Sequence, residues 1–458
     1  MRRRAFIGKL AATAMLGRPA LVRSCPCREF AEAGFAQAKG SAQPSSAAEA
    51  YLPSSPWQTG ALDAFCSKLR ITGMKVFGVS TPGAPPDRPY VFVKLETNAG
   101  VVGWGEATLE GKAGAVMACL NDFREFVIGS DPMQVEHHWQ SMWVHSFYRP
   151  GPVAGSAISG IDQALWDIRG QVLGLPVYKL LGGPNDARGV RGYYHAGART
   201  REELAKLRET ALQQGITCFK TGPPVRTWEW IDNHRKIETA VRHLQMIREA
   251  LGPDIDIAID FHAKTSPTIA SIILREVESL NLLFAEEPCP PENVRALARI
   301  ARRCTTPIAT GERLVGPYGF RELIELGVVD IIQPDVNHVG GITALWKTAA
   351  IAEAAGISLA PHACEGPIGG IATLHVDAAV PNFIVQEVCS GPEPGTKEKI
   401  WEEWLGFPAM RMVKGYFPLP DKPGLGFTLD EGVFKKYPFT GTRPMPRVFH
   451  EDGAVAEW

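Results

Sequence analysis

The chain has 458 residues, 45% hydrophobic and 21% charged, with a net charge of −1; it is long enough for one barrel with an added domain or for two or three domains. The near-neutral balance gives no electrostatic case for nucleic acid or an anionic membrane as partner, and no run approaches the roughly 18–20 apolar residues of a membrane span. Nine cysteines, an odd number without zinc-like CxxC pairs, argue against a disulfide framework, and Cys25 with Cys27 reads as an incidental pair.

The N-terminus comes first. Arg2-Arg3-Arg4-Ala5-Phe6-Ile7 precedes a small-residue apolar run, Leu10 to Gly17, a pattern similar to a bacterial twin-arginine export signal. Residues 1–38, ending at the cleavage-like Ala36-Gln37-Ala38, are therefore expected to be a signal, which implies a periplasmic location. The alternative is a basic extension on a cytoplasmic protein. Residues 39–68, rich in Ala, Ser and Pro, read as linker.

Ile71 to Ser80, Tyr90 to Thr97 and Val101 to Glu106 alternate as strands, with Asn98-Ala99-Gly100 as a hairpin turn. Helical stretches follow at 112–128, 132–145 and 153–173; in the last, Ile158, Ile161, Leu165, Ile168 and Val172 mark one face. From Val190 the rhythm changes to alternating strands and helices. Strand ends are expected near Ala196, Thr221, His262, Pro288, Glu312, Asp335, His362 and Val388. Eight strands with seven helices predict a barrel over 190–390, after an α+β module over 69–189. The tail is expected to fold back on the N-terminal module.

Chemistry-bearing residues fall at those strand ends: Asp260, Glu286, Glu312, Asp335, His362 and Glu387, spaced 23 to 27 residues apart. A barrel gathers its C-terminal strand ends around one mouth. Asp260, Glu286 and Glu312 offer hard oxygens from consecutive units, a set suited to Mg²⁺ rather than zinc. Each alone would read as a helix cap or a salt bridge; three in phase read as a metal site. Glu287 is expected to turn away from it by strand alternation, whereas His262, two residues past Asp260, is expected on the same side. Asp335 beside His362 reads as a general-base dyad, the carboxylate fixing the ring tautomer. Glu387 is placed to donate or organise a hydrogen bond to developing charge. A metal beside a base suits removal of a proton α to a carboxylate, with His262 as an acid for a departing β-hydroxyl.

The segments VVGWGEATLEG (101–111), FYRPGP (147–152), SAISGIDQALWDI (156–168), DFH (260–262), EEP (286–288), TGER (310–313), QPDVNHVGGIT (333–343), APHACEGPI (360–368), VQE (385–387), KPGLGF (422–427) and the final HEDGAVAEW resemble the enolase superfamily, mandelate racemase branch, and most closely its D-galactonate dehydratases. Enolase-type sites pair a Lys or His base with Mg²⁺. The resemblance implies an α/β fold, a modified TIM barrel (β/α)7β over 190–390 with an α+β capping domain from 69–189 plus 391–458, one Mg²⁺ per subunit on Asp260, Glu286 and Glu312, and His362 with Asp335 as base. It also implies His262 as acid, Glu387 steadying the intermediate, a 2-keto-3-deoxy sugar acid as product, and a homo-oligomer, commonly an octamer.

Two stretches depart from that family. Strand two reads Phe219-Lys220-Thr221-Gly222-Pro223-Pro224, without a second lysine at alternate spacing, and the loop after His362 reads Ala363-Cys364-Glu365. Lys220 reads either as a substrate-carboxylate ligand or as a barrel-lining lysine, and Arg149 either as a cap residue reaching the substrate or as structural. The competing functions are an epimerase or racemase with His262 and His362 as opposed bases, a dehydratase of another sugar acid, and a non-catalytic sugar-acid binding protein.

Overall fold

The computed structural model describes residues 61–82, 88–197, 200–222, 230–442, 445, 447–450 and 452–457. The export-signal reading, most of the linker and Pro223-Pro224 lie outside the described residues. Asp63–Trp458 forms one compact unit. No helix among the described residues is long and apolar enough to cross a membrane.

Strands β1 (Ile71–Val79), β2 (Tyr90–Thr97) and β3 (Val102–Glu106) make an antiparallel sheet. The central β2, YVFVKLET, is buried at all but one position, and its Lys94 pairs with Glu431 at 2.5 Å and Glu96 at 3.0 Å. The 22-residue helix Pro152–Leu173 packs on this sheet. Gly103 and Gly105 permit the close approach: a Cβ on either would strike the Ala164 or Gly160 carbonyl of the helix. The GWGE motif is thus a packing requirement of the cap.

Eight parallel strands follow: β4 (Val190–His195), β5 (Cys218–Thr221), β6 (Asp256–Asp260), β7 (Phe284–Glu286), β8 (Ile308–Thr310), β9 (Ile331–Ile332), β10 (Ser358–Leu359) and β11 (Gln386–Val388). Each pairs with the next from β4 to β10, and β11 returns to β4. Leu359 bonds Asn382 and Ile384 just before β11, which closes the barrel. Amphipathic helices cover the outside. In His234–Leu251, capped by Asn233 accepting from Lys236 N at 3.1 Å, the buried set is Ile237, Ala240, Leu244, Ile247 and Leu251.

The tail does fold onto the cap. Trp404 meets Tyr90 and Phe92 edge-on at 5.3 and 5.6 Å, and Phe434 stacks on Phe77 at 4.1 Å. It also does something the sequence does not announce: β12 (Tyr416–Phe417) pairs antiparallel with β4, so the tail reaches the barrel as well.

Candidate active site

One side chain from each barrel strand or its extension fills the interior: Tyr193, Cys218, Ala258, Phe284, Ala309, Ile331, Ala360 and Val385. Strand side chains repeat with period two, so the next inward layer lies two residues on. That layer is His195, Lys220, Asp260, Glu286, Gln333, His362 and Glu387. Only β8 breaks the rule. Gly311 takes that position with φ +140°, and Glu312 follows it. An apolar floor thus carries a polar ring at the C-terminal mouth.

Lys220 lies at the centre of the ring. Its Nζ is 2.9 Å from Glu286 Oε1, 2.5 Å from Glu387 Oε1 and 3.7 Å from Asp260 Oδ2, and it is buried. Burial works against its charge, but these carboxylates hold its pKa well above the usual lysine value. Glu286 is aligned with Asp260 across β6 and β7 and also accepts from Gln333 Nε2 at 2.8 Å. Burial, together with the charges of Asp260, Glu387 and Glu312, pushes Glu286 well up despite Lys220. Burial also opposes ionisation of Glu387, but Lys220, His362 and His195 hold it well below the carboxylate range.

The three proposed metal ligands are not drawn into one tight group. Asp260 and Glu286 share Lys220, while Glu312 sits 3.8 Å from His362 Nε2 and 3.7 Å from Arg313 Nε. They nevertheless fit a hard cation. All are carboxylates at or just past the ends of consecutive strands, and Glu286 is burdened by the charges of the other two. Glu287 turns the other way, its Oε2 accepting from Arg313 Nη2 at 2.7 Å, and burial pushes its pKa to about 8.

His362 Nδ1 donates to Asp335 Oδ2 at 2.6 Å, which leaves Nε2 facing Glu312 and, at 4.0 Å, Glu387. Burial disfavours the imidazolium, but Glu312, Glu387 and Asp335 together raise the pKa well above the ordinary value. His262 arrives by a different route from the expected strand alternation. β6 ends at Asp260, whose Oδ1 accepts from His262 N at 2.6 Å, and His262 and Ala263 are left-handed at φ +48° and +56°. The turn keeps His262 within the fields of Asp260 and Glu312; its pKa is lowered, chiefly by burial.

The cap braces this ring. Glu106 Oε2 accepts from Ile368 N and Gly369 N, the first turn of helix Pro367–Asp377. Gln163 Nε2 donates to Asn337 Oδ1 at 2.9 Å, and Asn337 N donates to Asp335 Oδ1 at 2.6 Å. His338 joins cap to barrel, with Nδ1 3.1 Å from Ser156 Oγ and Nε2 3.7 and 3.6 Å from Glu110 and Glu365.

Among the residues expected at the site, Asp260, Glu286, Glu312, Asp335, His362 and Glu387 converge on the mouth with Lys220, and His262 joins them electrostatically. Arg149 does not: it is exposed and donates to Val144 O at 3.2 Å. Sequence reasoning missed Gln333, His338 and His195, whose ring donates to Glu387 Oε1 at 2.6 Å. His195 and Gln333 were findable, because each stands two residues past an apolar floor residue.

Comparison with known proteins now bears on this geometry. A family model described as enolase C-terminal domain-like matches residues 202–433, and one for the mandelate racemase/muconate lactonizing enzyme N-terminal domain matches 79–182. A provisionally named dehydratase from Mesorhizobium loti is 32% identical, with a TM-score of 0.72 over 80% of this chain and 98% of its own. A Salmonella typhimurium member of the enolase superfamily is 29% identical (TM-score 0.72; 81% and 98% covered). A provisionally named galactarate dehydratase from Agrobacterium radiobacter, bound to sodium and L-malate, is 28% identical (TM-score 0.77; 85% and 100% covered).

Proposed function

Since the chain belongs to the enolase superfamily, in its mandelate racemase/muconate lactonizing enzyme branch, we propose that it is a sugar-acid dehydratase converting an aldonate, best D-galactonate, to a 2-keto-3-deoxy acid. The observation that carries this reading is the His362–Asp335 pair at 2.6 Å, set in the mouth that also holds Asp260, Glu286 and Glu312. Neighbours named as dehydratases support the reaction class.

In this reading His362 Nε2 takes the α-proton while Asp335 holds Nδ1–H; a cation on Glu312 would draw off the charge that otherwise favours the imidazolium and leave Nε2 free to act as base. His262 gives a proton to the departing 3-hydroxyl, and the enol left behind ketonises; α-hydrogen and hydroxyl leave as water. Glu387, held ionised by Lys220 and His195, serves the negative intermediate indirectly, by fixing the Lys220 ammonium in the mouth. Asp260, Glu286 and Glu312 would hold Mg²⁺, which supplies Lewis-acid stabilisation to the substrate carboxylate. Lys220 neutralises the carboxylates rather than reaching solvent, so it acts on the ring from beneath.

Two finer readings belong to the same proposal. The N-terminal arginine pattern supports export, and the resemblance supports a homo-oligomer, commonly an octamer. A second reaction, epimerisation, is favoured by one observation: Glu312 influences both His262 and His362, so two imidazoles address one region. A Mg²⁺-dependent screen across a library of aldonates and aldarates, read as semicarbazone absorbance, separates them. A keto product lost on EDTA treatment and in His362→Asn supports dehydration. Stereochemical inversion without keto product replaces it with epimerisation, and binding without turnover replaces both with a sugar-acid binding protein.

A further inference from the structure

Cys364 and Cys389 are joined by a disulfide, with Cα atoms 4.9 Å apart, within the usual span for such a bond. Each stands two residues past a site residue: Cys364 after His362, Cys389 after Glu387. The location matters because side chains, rather than a strand ladder or a helix, hold the segment carrying His362. β10 is two residues long, and residues 360–366 belong to no helix or strand. Beyond Ala360 N donating to Ile332 O at 3.0 Å, this stretch is held by side chains: His362 Nδ1 on Asp335 at 2.6 Å, Gln386 Nε2 donating to Pro361 O at 3.4 Å, Glu365 facing His338 at 3.6 Å, Ala363 N donating to Glu387 Oε2 at 3.3 Å, and the sulfur bridge, which alone is covalent. Cys389 Sγ also lies 3.5 Å from His195 Nε2 and 3.7 Å from Glu387 Oε1.

Both cysteines are partly exposed and line a cavity with Lys397, Trp401 and Met410 of the tail. The cavity, about 10 Å³, holds little more than a water molecule, so an external thiol would reach the bond through the partly exposed face of the two residues. Cys218 and Cys289, by contrast, are buried thiols with pKa values pushed up by burial, to about 12 and about 11.

We propose that Cys364–Cys389 is a redox clasp, a positioning pair that fixes His362 against Glu387 when oxidised and releases them when reduced. It rests on the reading above that these two residues carry the reaction. Opening is thiol–disulfide exchange: two equivalents of an external thiol, RSH, reduce the bond to two protein thiols and leave as RSSR. Closing is the reverse, with a small disulfide or a dithiol–disulfide oxidoreductase taking the two electrons. An oxidising compartment, as the export reading requires, keeps the clasp closed.

The test uses the full chain with Mg²⁺, equilibrated in buffers of graded thiol to disulfide ratio. Alkylation and peptide mass spectrometry report the state of Cys364 and Cys389, and hydrogen exchange reports residues 360–366. Neither needs a substrate, so a failed dehydratase assignment does not hide the result. Reduction is expected to open Cys364–Cys389 and speed exchange at 360–366. With an accepted acid, kcat should fall on the order of tenfold or more, as misplaced groups cause, while KM changes little. Cys364→Ser/Cys389→Ser should match the reduced protein and lose the redox response, whereas Cys304→Ser should keep it. Free thiols at both positions under oxidising conditions, unchanged exchange on reduction, or an unchanged kcat would each overturn the clasp.

Discussion

The ammonium of Lys220 and the carboxylate of Glu387 lie 2.5 Å apart, their side chains only 3% and 0% exposed. They join the second and eighth barrel strands, which flank the first, β4. Removing one partner of such a pair leaves a buried charge and costs about 3–5 kcal/mol. Lys220→Met keeps the aliphatic stem but leaves Glu286, Glu387 and Asp260 to repel one another. Its unfolding free energy in EDTA is expected to drop by about that amount, and added Mg²⁺ should restore more stability to it than to the parent. Denaturant unfolding with and without the ion checks this, and equal stability of parent and variant in EDTA would remove Lys220 from its organising role.

The short His362–Asp335 contact makes a sharper demand on kinetics. Loss of a general base typically lowers rate 10²–10⁴-fold. His362→Asn should therefore lose at least about a hundredfold in kcat, and it should abolish exchange of the substrate α-proton with deuterated water. Asp335→Asn leaves a ring but frees its tautomer, so kcat should fall strongly while KM moves little. Retained α-exchange in His362→Asn would sink the assignment and point to His262.

Much of this site was legible because it follows from period two. Ala258 and Asp260, Phe284 and Glu286, Val385 and Glu387 are each floor and rim of one strand, and an apolar run ending in a carboxylate announces that arrangement. His262 was legible as a neighbour but for the wrong reason: a turn on Asp260 places it, and turn geometry does not show as alternation. The partners of Lys220 were not legible, since which carboxylate a buried ammonium meets depends on barrel closure, set by Leu359 bonding near Phe383. Nor was the Cys364–Cys389 bond, because 25 residues of sequence separate two loops that closure brings together. β12 was hidden for a similar reason: two residues carry no periodicity.

The cap–barrel seam predicts a pH dependence. Asp162 on helix Pro152–Leu173 accepts from Thr343 N at 2.9 Å, and burial pushes its pKa to about 7 from 3.8. The folded state thus holds this proton longer than the unfolded chain. Stability from it is complete below about pH 4 and is lost as pH rises through about 7. Asp162→Asn cannot ionise, so parent minus variant stability should fall between pH 4 and 8, by no more than about 4 kcal/mol at 1.36 per pH unit. The difference is the quantity to follow, because Glu106 and Asp167 shift in the same sense and His375, lowered to about 4 by burial, in the opposite one. Parallel urea-unfolding curves for the two proteins across this range would contradict the seam's titration.

Metal binding can be read without turnover. Glu312 stands apart from the pair bridged by Lys220, 13% exposed and near Arg313 and His362. A cation joining Asp260, Glu286 and Glu312 would therefore add a link between strands that the side chains alone do not make. A ligand bound only to the folded state at a hundred times its Kd stabilises by about 2.7 kcal/mol. Mg²⁺ should accordingly raise the Tm by a few degrees over a sodium chloride control of equal ionic strength. Glu312→Gln should abolish most of that rise while leaving the Tm in EDTA nearly unchanged, since this side chain anchors little else. Glu286→Gln should abolish it too but lower the EDTA baseline, because Lys220 and Gln333 both rely on that carboxylate. A Mg²⁺ response that survives both substitutions would place the ion elsewhere in the chain and dissolve the argument that the three strand-end carboxylates form its site.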